Sequence, residues 1–351
     1  MTLVKCLVWD LDNTLWRGTL LEDDAVVFDD AVRDVIVELD SRGVLQAVSS
    51  KNDHDLAWAK LVELGVAEYF VAARIGWGPK SAAVREIADE LGFAPATIAF
   101  VDDQPVERAE VAHHLPAVRC YPAERVLDLA ALPEFSPEVV TVDARRRRSM
   151  YQAARRRDHE RAGFTGPDED FLRSLDLVME IVPATADLVS RVEELTRRTS
   201  QMNATGVHYS QETLCGVLDQ VLVVTMSDRF GSHGAVGVVL LERGPAVWHL
   251  KLLATSCRVV SFGAGAVILR WLADQAARAG THLVADFRRT ERNRIMEIAY
   301  RFAGFTDDAC ACRDGLAPAE DVERLHLLPV RQKPPGIMRL TAPDLTAFAI
   351  T

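Results

Sequence analysis

Two carboxylates one residue apart are the first feature of this sequence that could do chemistry. Asp10 and Asp12 follow the apolar run CLVW near the start of the chain. A carboxylate can attack phosphorus and form an aspartyl-phosphate. A second carboxyl two positions on can protonate the leaving oxygen and then activate water. The pair therefore indicates a site that cleaves phosphate groups.

Three more polar clusters flank predicted strands and helices. Ser49 to Asn52 end the apolar run VLQAV, Lys80 lies just before a predicted helix, and Asp102 and Asp103 end the run TIAFV. Ligands of parallel sheets bind outside the carboxyl ends of the strands, so we expect the clusters to converge. Serine and lysine can hold phosphate oxygens, and carboxylates from two strands can hold Mg²⁺.

Together these clusters resemble the haloacid dehalogenase superfamily of phosphohydrolases, and no lid insertion fits between them. The resemblance implies that Asp10 is the nucleophile and Asp12 the general acid/base. The alternative is that the carboxylates cap helices or face solvent. The expected phosphate-binding residues are Ser50, Lys51, Asn52 and Lys80, and the expected magnesium ligands are Asp10, Asp12, Asp102 and Asp103.

A second constellation surrounds Cys257 in the stretch LLATSCRVVSFGAGA. The thiol follows a predicted strand and enters a helix beside Arg258. A helix N-terminus and a cation both lower a thiol pKa, which favours a nucleophile. His233, in a turn of the same predicted sheet, is the candidate base for Cys257. The alternatives are a buried structural cysteine and an ordinary turn histidine.

The turn after Cys257 resembles the coenzyme A-binding turn of the acetyltransferase fold. Arg258, Ser261 and Gly263 stand at the spacing R-x-x-G-x-G, with serine in place of the first glycine. Amides in such a turn can cradle a pyrophosphate. The serine weakens the case for coenzyme A, and the alternative ligand is the pantetheine arm of a carrier protein. Asn203, in RRTSQMNATG, could bind the polar part of a substrate or only turn the chain.

The elements that must position these residues fall into two groups. Strands and helices alternate in the first part, which predicts an α/β fold with a doubly wound parallel sheet over residues 1–142. An arginine-rich helix is expected at 143–163, either solvated or docking an acidic partner. Residues 164–351 predict an α+β, acetyltransferase-like domain with an antiparallel sheet and flanking helices.

Bulk composition limits the classes of function. The 351 residues carry a net charge of −11, which argues against wholesale nucleic-acid binding. The first apolar run is cut by Asp10, and no stretch approaches a membrane span, so a cytoplasmic protein with reduced thiols is expected. The pair Cys310 and Cys312 lacks a second pair at zinc spacing, so no metal is expected there.

The whole chain resembles the FkbH family, through the stretches KCLVWDLDNTLW, VSSKND, GWGPKS, FVDDQPVER, RRTSQMNATGVHYS, DRFGSHGAVG, LLATSCRV and YRFAGF. The resemblance implies transfer of a glyceryl unit from 1,3-bisphosphoglycerate to an acyl carrier protein, with Mg²⁺ as cofactor, for polyketide extender units. Arginines at 145–148 and 155–157 could dock the acidic carrier. Two alternatives stay open, namely a phosphatase with a binding domain and a coenzyme A-dependent N-acetyltransferase.

Overall fold

The computed structural model describes residues 2–23, 25–199, 201–317 and 321–347, except for the side chain at 198. The chain divides into two compact units, residues 1–155 and 156–351. The division falls inside the arginine-rich segment that the sequence analysis assigned to a connecting helix.

A parallel sheet forms the centre of the first unit, with the strand order β3-β2-β1-β4-β5. The strand β1 is buried at every position, which fits its continuous apolar run. The chain builds outward from β1 to β3, and β4 then returns to the other side of β1. The ends of β1 and β4 therefore lie at the switch in strand order, where open sheets bind ligands. The strands are β1 (Cys6–Trp9), β2 (Leu45–Ser50), β3 (Phe70–Ile75), β4 (Ile98–Asp102) and β5 (Arg119–Pro122).

Helices cover this sheet, and separate apolar clusters fill the space on its two faces. Leu7 and Trp9 of β1 belong to one cluster, whereas Cys6 and Val8 belong to the other, as the alternation of side chains along a strand requires. The helices are α1 (Asp30–Ser41), α2 (His54–Glu63), α3 (Lys80–Leu91), α4 (Pro105–His114) and α5 (Val142–Arg145).

The arginine-rich segment forms α6 (Arg147–Gly163), and its first half is packed rather than solvated. Tyr151 meets Phe93 edge-on, with ring centroids 5.8 Å apart. The guanidinium of Arg148 donates to Asp40 at 2.9 Å and lies over the ring of Tyr69. The first unit therefore extends past residue 142, the end predicted from the sequence.

A mixed sheet with the strand order β11-β10-β9-β8-β7-β6-β12 forms the centre of the second unit. The sequence predicted an antiparallel sheet, and β6 to β9 pair in that way. However, β9 pairs with β10 in parallel, because α10 carries the chain back across the sheet, and β6 also pairs with β12 in parallel. The elements are α7 (Asp168–Ser174), β6 (Val178–Pro183), α8 (Val189–Arg198), α9 (Gln211–Cys215), β7 (Val221–Asp228), β8 (Gly231–Arg243), β9 (Val247–Thr255), α10 (Ala264–Ala279), β10 (His282–Phe287), α11 (Arg294–Phe302), β11 (Glu323–Leu327) and β12 (Arg339–Thr341).

The predicted fold class is confirmed, with a doubly wound parallel sheet in the first unit and an α+β arrangement in the second. None of the helices in the described ranges combines the length and the apolar character that a bilayer crossing requires.

Candidate active site

A buried lysine joins the ends of β1 and β4 in the first unit. Lys80, the first residue of α3, places its Nζ 2.5 Å from Asp10 Oδ1 and 3.1 Å from Asp102 Oδ2. The same ammonium donates to the main-chain oxygen of Ser49 at 2.7 Å. Asp10, Lys80 and Asp102 are all buried. Residues of all four predicted clusters thus meet at this lysine, as the switch in strand order requires.

The carboxylates of this centre carry more negative charge than the lysine balances. Burial raises the pKa of Asp10, while the charge of Lys80 opposes the rise. Burial also raises the pKa of Asp102, and the negative charge of Asp10 raises it further. The pKa of Asp103 is raised by burial and by the negative charge of Asp102. Three carboxylates face one ammonium, so a bound divalent cation would balance the charge.

The oxygen atoms of these three carboxylates are suitable ligands for such a divalent cation. Carboxylate oxygens of Asp10, Asp102 and Asp103 lie within 4.8 Å of one another. Asp103 Oδ1 is buried and has no hydrogen-bond partner among the described residues, and Asp102 Oδ2 faces the ammonium of Lys80 at 3.1 Å. Hard oxygen ligands of this kind suit Mg²⁺. The side chain of Asp12, which was predicted to be a metal ligand, does not belong to this group, because it is held by other residues.

Asp12 accepts three hydrogen bonds from its surroundings. Trp16 Nε1 donates to Oδ1 at 2.8 Å, and the amide of Leu20 donates to the same oxygen at 3.1 Å. Asn52 Nδ2 donates to Oδ2 at 2.9 Å. These contacts fix the orientation of a carboxyl that is only half-buried. Trp16 was missed in the sequence analysis, although its spacing of four residues from Asp12 is a signal that could have suggested a local hydrogen bond.

The predicted phosphate-binding residues do not act as one group. Ser50 is buried, and its side chain hydrogen-bonds Asp10. Lys80 lies between Asp10 and Asp102, whereas Asn52 is occupied with Asp12. The Nζ of Lys51 instead forms an ion pair with Glu107 at 2.5 Å. The ammonium of Lys51 is thus engaged by Glu107 on α4, and it makes no ion pair with Asp10 or Asp102 among the described residues.

Thr14 and Arg108 also position the centre, and neither was assigned a role from the sequence. Thr14 Oγ1 accepts a hydrogen bond from the amide of Asp103 at 2.9 Å, which ties the loop after β1 to the end of β4. Arg108 on α4 donates to the main-chain oxygens of Asp102 and Asp103 at 2.6 and 2.8 Å. A lone threonine and a helical arginine gave no pattern from which these contacts could be predicted.

Cys257 lies in the second unit and is exposed. It begins a 3₁₀ turn, Cys257–Phe262, that precedes α10, so it is not at the N-terminus of the long helix itself. Ser256 caps the turn by accepting from the amide of Arg258, and the Arg258 side chain also donates to Ser256 Oγ at 3.2 Å. The thiol is accessible for reaction, but the predicted helix-terminal setting is limited to this short turn.

The last two residues of the predicted pantetheine-binding turn lie next to α10. Ser261 is exposed near the end of the 3₁₀ turn. Gly263 follows with a φ of +71°, in the left-handed region, and forms the N-cap of α10. A residue without Cβ adopts this conformation readily, so the glycine accounts for the change from the 3₁₀ turn to the α-helix. The amide of Gly263 donates to the main-chain oxygen of Val260 at 3.0 Å, and anion binding at this junction stays a prediction.

His233 is held by charged neighbours in the second unit. Its Nε2 lies 3.0 Å from Asp228 Oδ2 and 3.2 Å from a guanidinium nitrogen of Arg157. Arg157 Nε donates to the same Asp228 oxygen at 2.6 Å, and all three side chains are buried. Within the described residues, no hydrogen bond joins His233 to Cys257. The predicted base is therefore not brought to the thiol, because Asp228 and Arg157 bind it instead.

Asn203 is a turn former. It is fully buried, and its Oδ1 accepts from the amides of Thr205 and Gly206 at 3.1 and 2.8 Å. Its Nδ2 donates to the main-chain oxygen of Val207 at 3.1 Å. Because both ends of the amide are occupied, the structure favours the alternative in which Asn203 shapes the chain rather than binds substrate.

Comparison with known proteins defines the class of the first unit. Residues 19–114 match the family model described as haloacid dehalogenase-like hydrolase. The first unit therefore contains a haloacid dehalogenase-like hydrolase domain. The match begins after Asp10 and Asp12, so the place of Asp10 in the centre rests on its contact with Lys80. No curated protein is recognisably similar to the chain.

Solved structures resemble each unit separately. The N-terminal part of a Bacteroides fragilis protein containing a phosphatase domain, complexed with Mg, is 26% identical, with a TM-score of 0.35. The match covers 38% of this chain and only 40% of that one. Ard1 from Thermoplasma volcanium is 12% identical over 44% of this chain and 99% of that one, with a TM-score of 0.34. The ribosomal-protein-S18-alanine N-acetyltransferase from Escherichia coli is 15% identical over 45% and 98%, with a TM-score of 0.32.

Proposed function

We propose that the chain transfers a glyceryl unit from 1,3-bisphosphoglycerate to the phosphopantetheine thiol of an acyl carrier protein, with loss of both phosphates. The observation that carries the proposal is the buried centre formed by Asp10, Lys80 and Asp102. The FkbH-like stretches of the sequence and the exposed Cys257 support the acyl-transfer half of the reaction. The product would serve as a precursor of methoxymalonyl-type polyketide extender units.

In this proposal, the first unit removes the phosphate ester at C3. An oxygen of Asp10 attacks phosphorus, the bond from phosphorus to the C3 oxygen breaks, and Asp12 gives that oxygen a proton. Asp12, held by Trp16 and Asn52, then takes a proton from the water that hydrolyses the aspartyl-phosphate. Lys80 and Ser50 stabilise charge on the phosphate oxygens. Asp10, Asp102 and Asp103 would hold Mg²⁺, which supplies further charge neutralisation when bound.

The acyl phosphate at C1 is the proposed substrate of Cys257. The thiolate attacks the carbonyl carbon, the bond to the phosphate oxygen breaks, and inorganic phosphate leaves. The resulting thioester then passes its glyceryl group to the thiol of the carrier arm. A thiol at an exposed turn is reachable by both a small acyl phosphate and a pantetheine arm.

The acidic carrier protein is the proposed partner of the arginine-rich segment. Arg145, Arg146 and Arg156 are exposed, and no ion pair of theirs appears among the described residues. By contrast, Arg148 and Arg157 are already paired with Asp40 and Asp228. Fewer arginines are therefore left for the carrier protein than the run in the sequence suggests.

The test is intact-protein mass spectrometry after mixing with Mg²⁺ and freshly generated 1,3-bisphosphoglycerate. We expect a glyceryl-sized adduct on the native chain and none on Cys257→Ala. In Asp10→Asn the adduct should still carry a phosphate, because the C3 ester is not removed. A matched control is Cys215→Ser, since Cys215 is another exposed thiol and its loss should leave the adduct unchanged.

A second function, a Mg²⁺-dependent phosphatase with a non-catalytic second unit, is favoured by one observation. His233 is bound to Asp228 and Arg157, so Cys257 lacks the predicted base. Phosphate release without any adduct on the native chain would establish this second function and overturn the cysteine route. An adduct that persists in Cys257→Ala would also overturn the cysteine route.

A further inference from the structure

A cluster of nitrogen and sulfur ligands lies at one edge of the sheet in the second unit. His282 begins β10, His326 lies on the edge strand β11, and Cys310 and Cys312 lie between α11 and β11. One ligand atom from each of the four side chains lies within 4.8 Å of the others. Neither the proposed phosphatase centre nor the turn at Cys257 uses any of these residues.

Strand pairing explains how the two histidines meet. In the antiparallel ladder between β10 and β11, His326 is paired with Val284. His282 is two residues from Val284, so its side chain points to the same face and lies diagonally across from His326. The ring centroids are 5.1 Å apart, and His282 Nδ1 lies 3.0 Å from His326 Nε2.

The loop after α11 carries the two cysteines to the same place. Thr306 exchanges two main-chain hydrogen bonds with His326, each of 2.8 Å, which anchors the start of the loop to the edge strand. A 3₁₀ turn at Ala311–Arg313 then carries Cys312, and Cys310 caps it. Cys310 Sγ lies 3.4 Å from His282 Nδ1. The loop is therefore folded so that both cysteines lie beside the histidine pair.

We propose that His282, Cys310, Cys312 and His326 bind one Zn²⁺ ion in a closed, structural site. Tetrahedral zinc with bonds of about 2.0–2.1 Å to nitrogen and about 2.3 Å to sulfur separates two nitrogen ligands by about 3.3 Å, and a nitrogen from a sulfur by about 3.6 Å. The observed separations of 3.0 and 3.4 Å are close to those values. Two thiolates and two neutral imidazoles make the zinc complex electrically neutral, and four protein ligands leave no position for substrate.

The expected role of the ion is to fasten the long loop between α11 and β11 to the edge of the sheet. Loops of this length are uncommon in compact domains unless something orders them. An exposed edge strand also invites pairing with other chains, and a loop fixed over it reduces that risk. The spacing of Cys310 and Cys312 did not indicate this site, because the two remaining proposed ligands are histidines far away in the sequence.

The test is the zinc content of the full chain, purified without chelators from zinc-supplemented cells and measured by elemental mass spectrometry. We expect about one zinc per chain in the native protein and in Cys215→Ser, and almost none in the double variant Cys310→Ser/Cys312→Ser. Zinc that stays in the double variant would overturn the proposal. A native chain that contains no zinc, and takes up none on titration with Zn²⁺ after reduction, would overturn it too.

A spectroscopic measurement keeps the test decisive if the double variant does not fold. Native protein stripped of metal and loaded with Co²⁺ should show the charge-transfer absorption of thiolate-bound cobalt, together with the visible bands of a tetrahedral site. The same bands should persist in Asp10→Asn, because that carboxylate belongs to a separate oxygen-ligand centre. Absence of thiolate bands from the native protein, or recovery of Cys310 and Cys312 as a metal-free disulfide, would contradict zinc binding.

Discussion

Asp10 and Asp12 show how two carboxyls one residue apart acquire different properties. Asp10 is buried against Lys80, which keeps a charged partner next to the proposed nucleophile. Asp12 is half-buried and is oriented by an indole, a main-chain amide and a carboxamide. A group that must give and then take a proton needs a fixed position and access to water, and Asp12 has both. The division of roles therefore follows from the surroundings of each residue.

Replacing Asn52 by alanine tests whether the orientation of Asp12 matters for phosphate release. The variant loses the hydrogen bond to Asp12 Oδ2, and a hydrogen bond to a charged group contributes about 1.5–3 kcal/mol. We expect kcat for a small phosphate monoester to fall by about 10- to 100-fold. The matched control is Lys51→Ala, whose side chain contacts Glu107 instead, and which should change kcat by less than about threefold. Equal losses in the two variants would contradict this assignment.

At the scale of elements, α6 contributes packing contacts from both of its halves. Its first half packs on the first unit through Tyr151 and Arg148. In the second unit, Arg157 of the same helix reaches Asp228 at the end of β7 and His233 on β8. Arginines that form a run in the sequence are thus divided between packed positions, such as Arg148 and Arg157, and exposed positions, such as Arg156.

Replacing Arg157 by methionine should destabilise the second unit strongly. The change leaves Asp228 buried beside His233 without its guanidinium partner, and breaking a buried ion pair in this way costs about 3–5 kcal/mol. The matched control is Arg156→Met, at the exposed neighbouring position, which should change the free energy of unfolding by less than about 0.5 kcal/mol. Denaturant unfolding followed by tryptophan fluorescence measures both. A loss below about 1 kcal/mol in Arg157→Met would contradict a stabilising ion pair.

The difference between Arg157→Met and the native chain should depend on pH. Burial alone would raise the pKa of Asp228, but the hydrogen bonds from His233 and Arg157 outweigh it and hold the pKa well below its usual range. Without Arg157 this carboxyl binds a proton at a higher pH. The advantage of the native chain is therefore complete at neutral pH and should shrink as the pH falls below about 4, the ordinary pKa of a carboxyl. An advantage that grows on acidification would contradict this account.

At the scale of the whole molecule, the sequence predicts which residues the parallel strands bring together. It does not predict the individual contacts of the side chains. Asp10, Lys80 and Asp102 could be predicted to meet because their elements end at the same edge of the sheet. The ion pair between Lys51 and Glu107 could not be predicted, because it depends on how α4 packs in the folded unit. The contact between the two histidines of the proposed zinc site could not be predicted either, because it depends on strand register rather than on spacing in the chain.

The boundary of the first unit is a prediction that fragments can test. Residues 1–155 include the start of α6, with Tyr151 against Phe93 and Arg148 against Asp40, whereas residues 1–142 lack both contacts. Loss of an aromatic pair and a partly buried ion pair should lower the free energy of unfolding by about 2 kcal/mol or more. We expect fragment 1–155 to fold and to release phosphate from a small monoester with Mg²⁺, and fragment 1–142 to unfold at a lower denaturant concentration. The variant Tyr151→Ala in fragment 1–155 should fall between them. If the two fragments unfold together, α6 contributes nothing to the first unit, and the boundary at 142 is the better one.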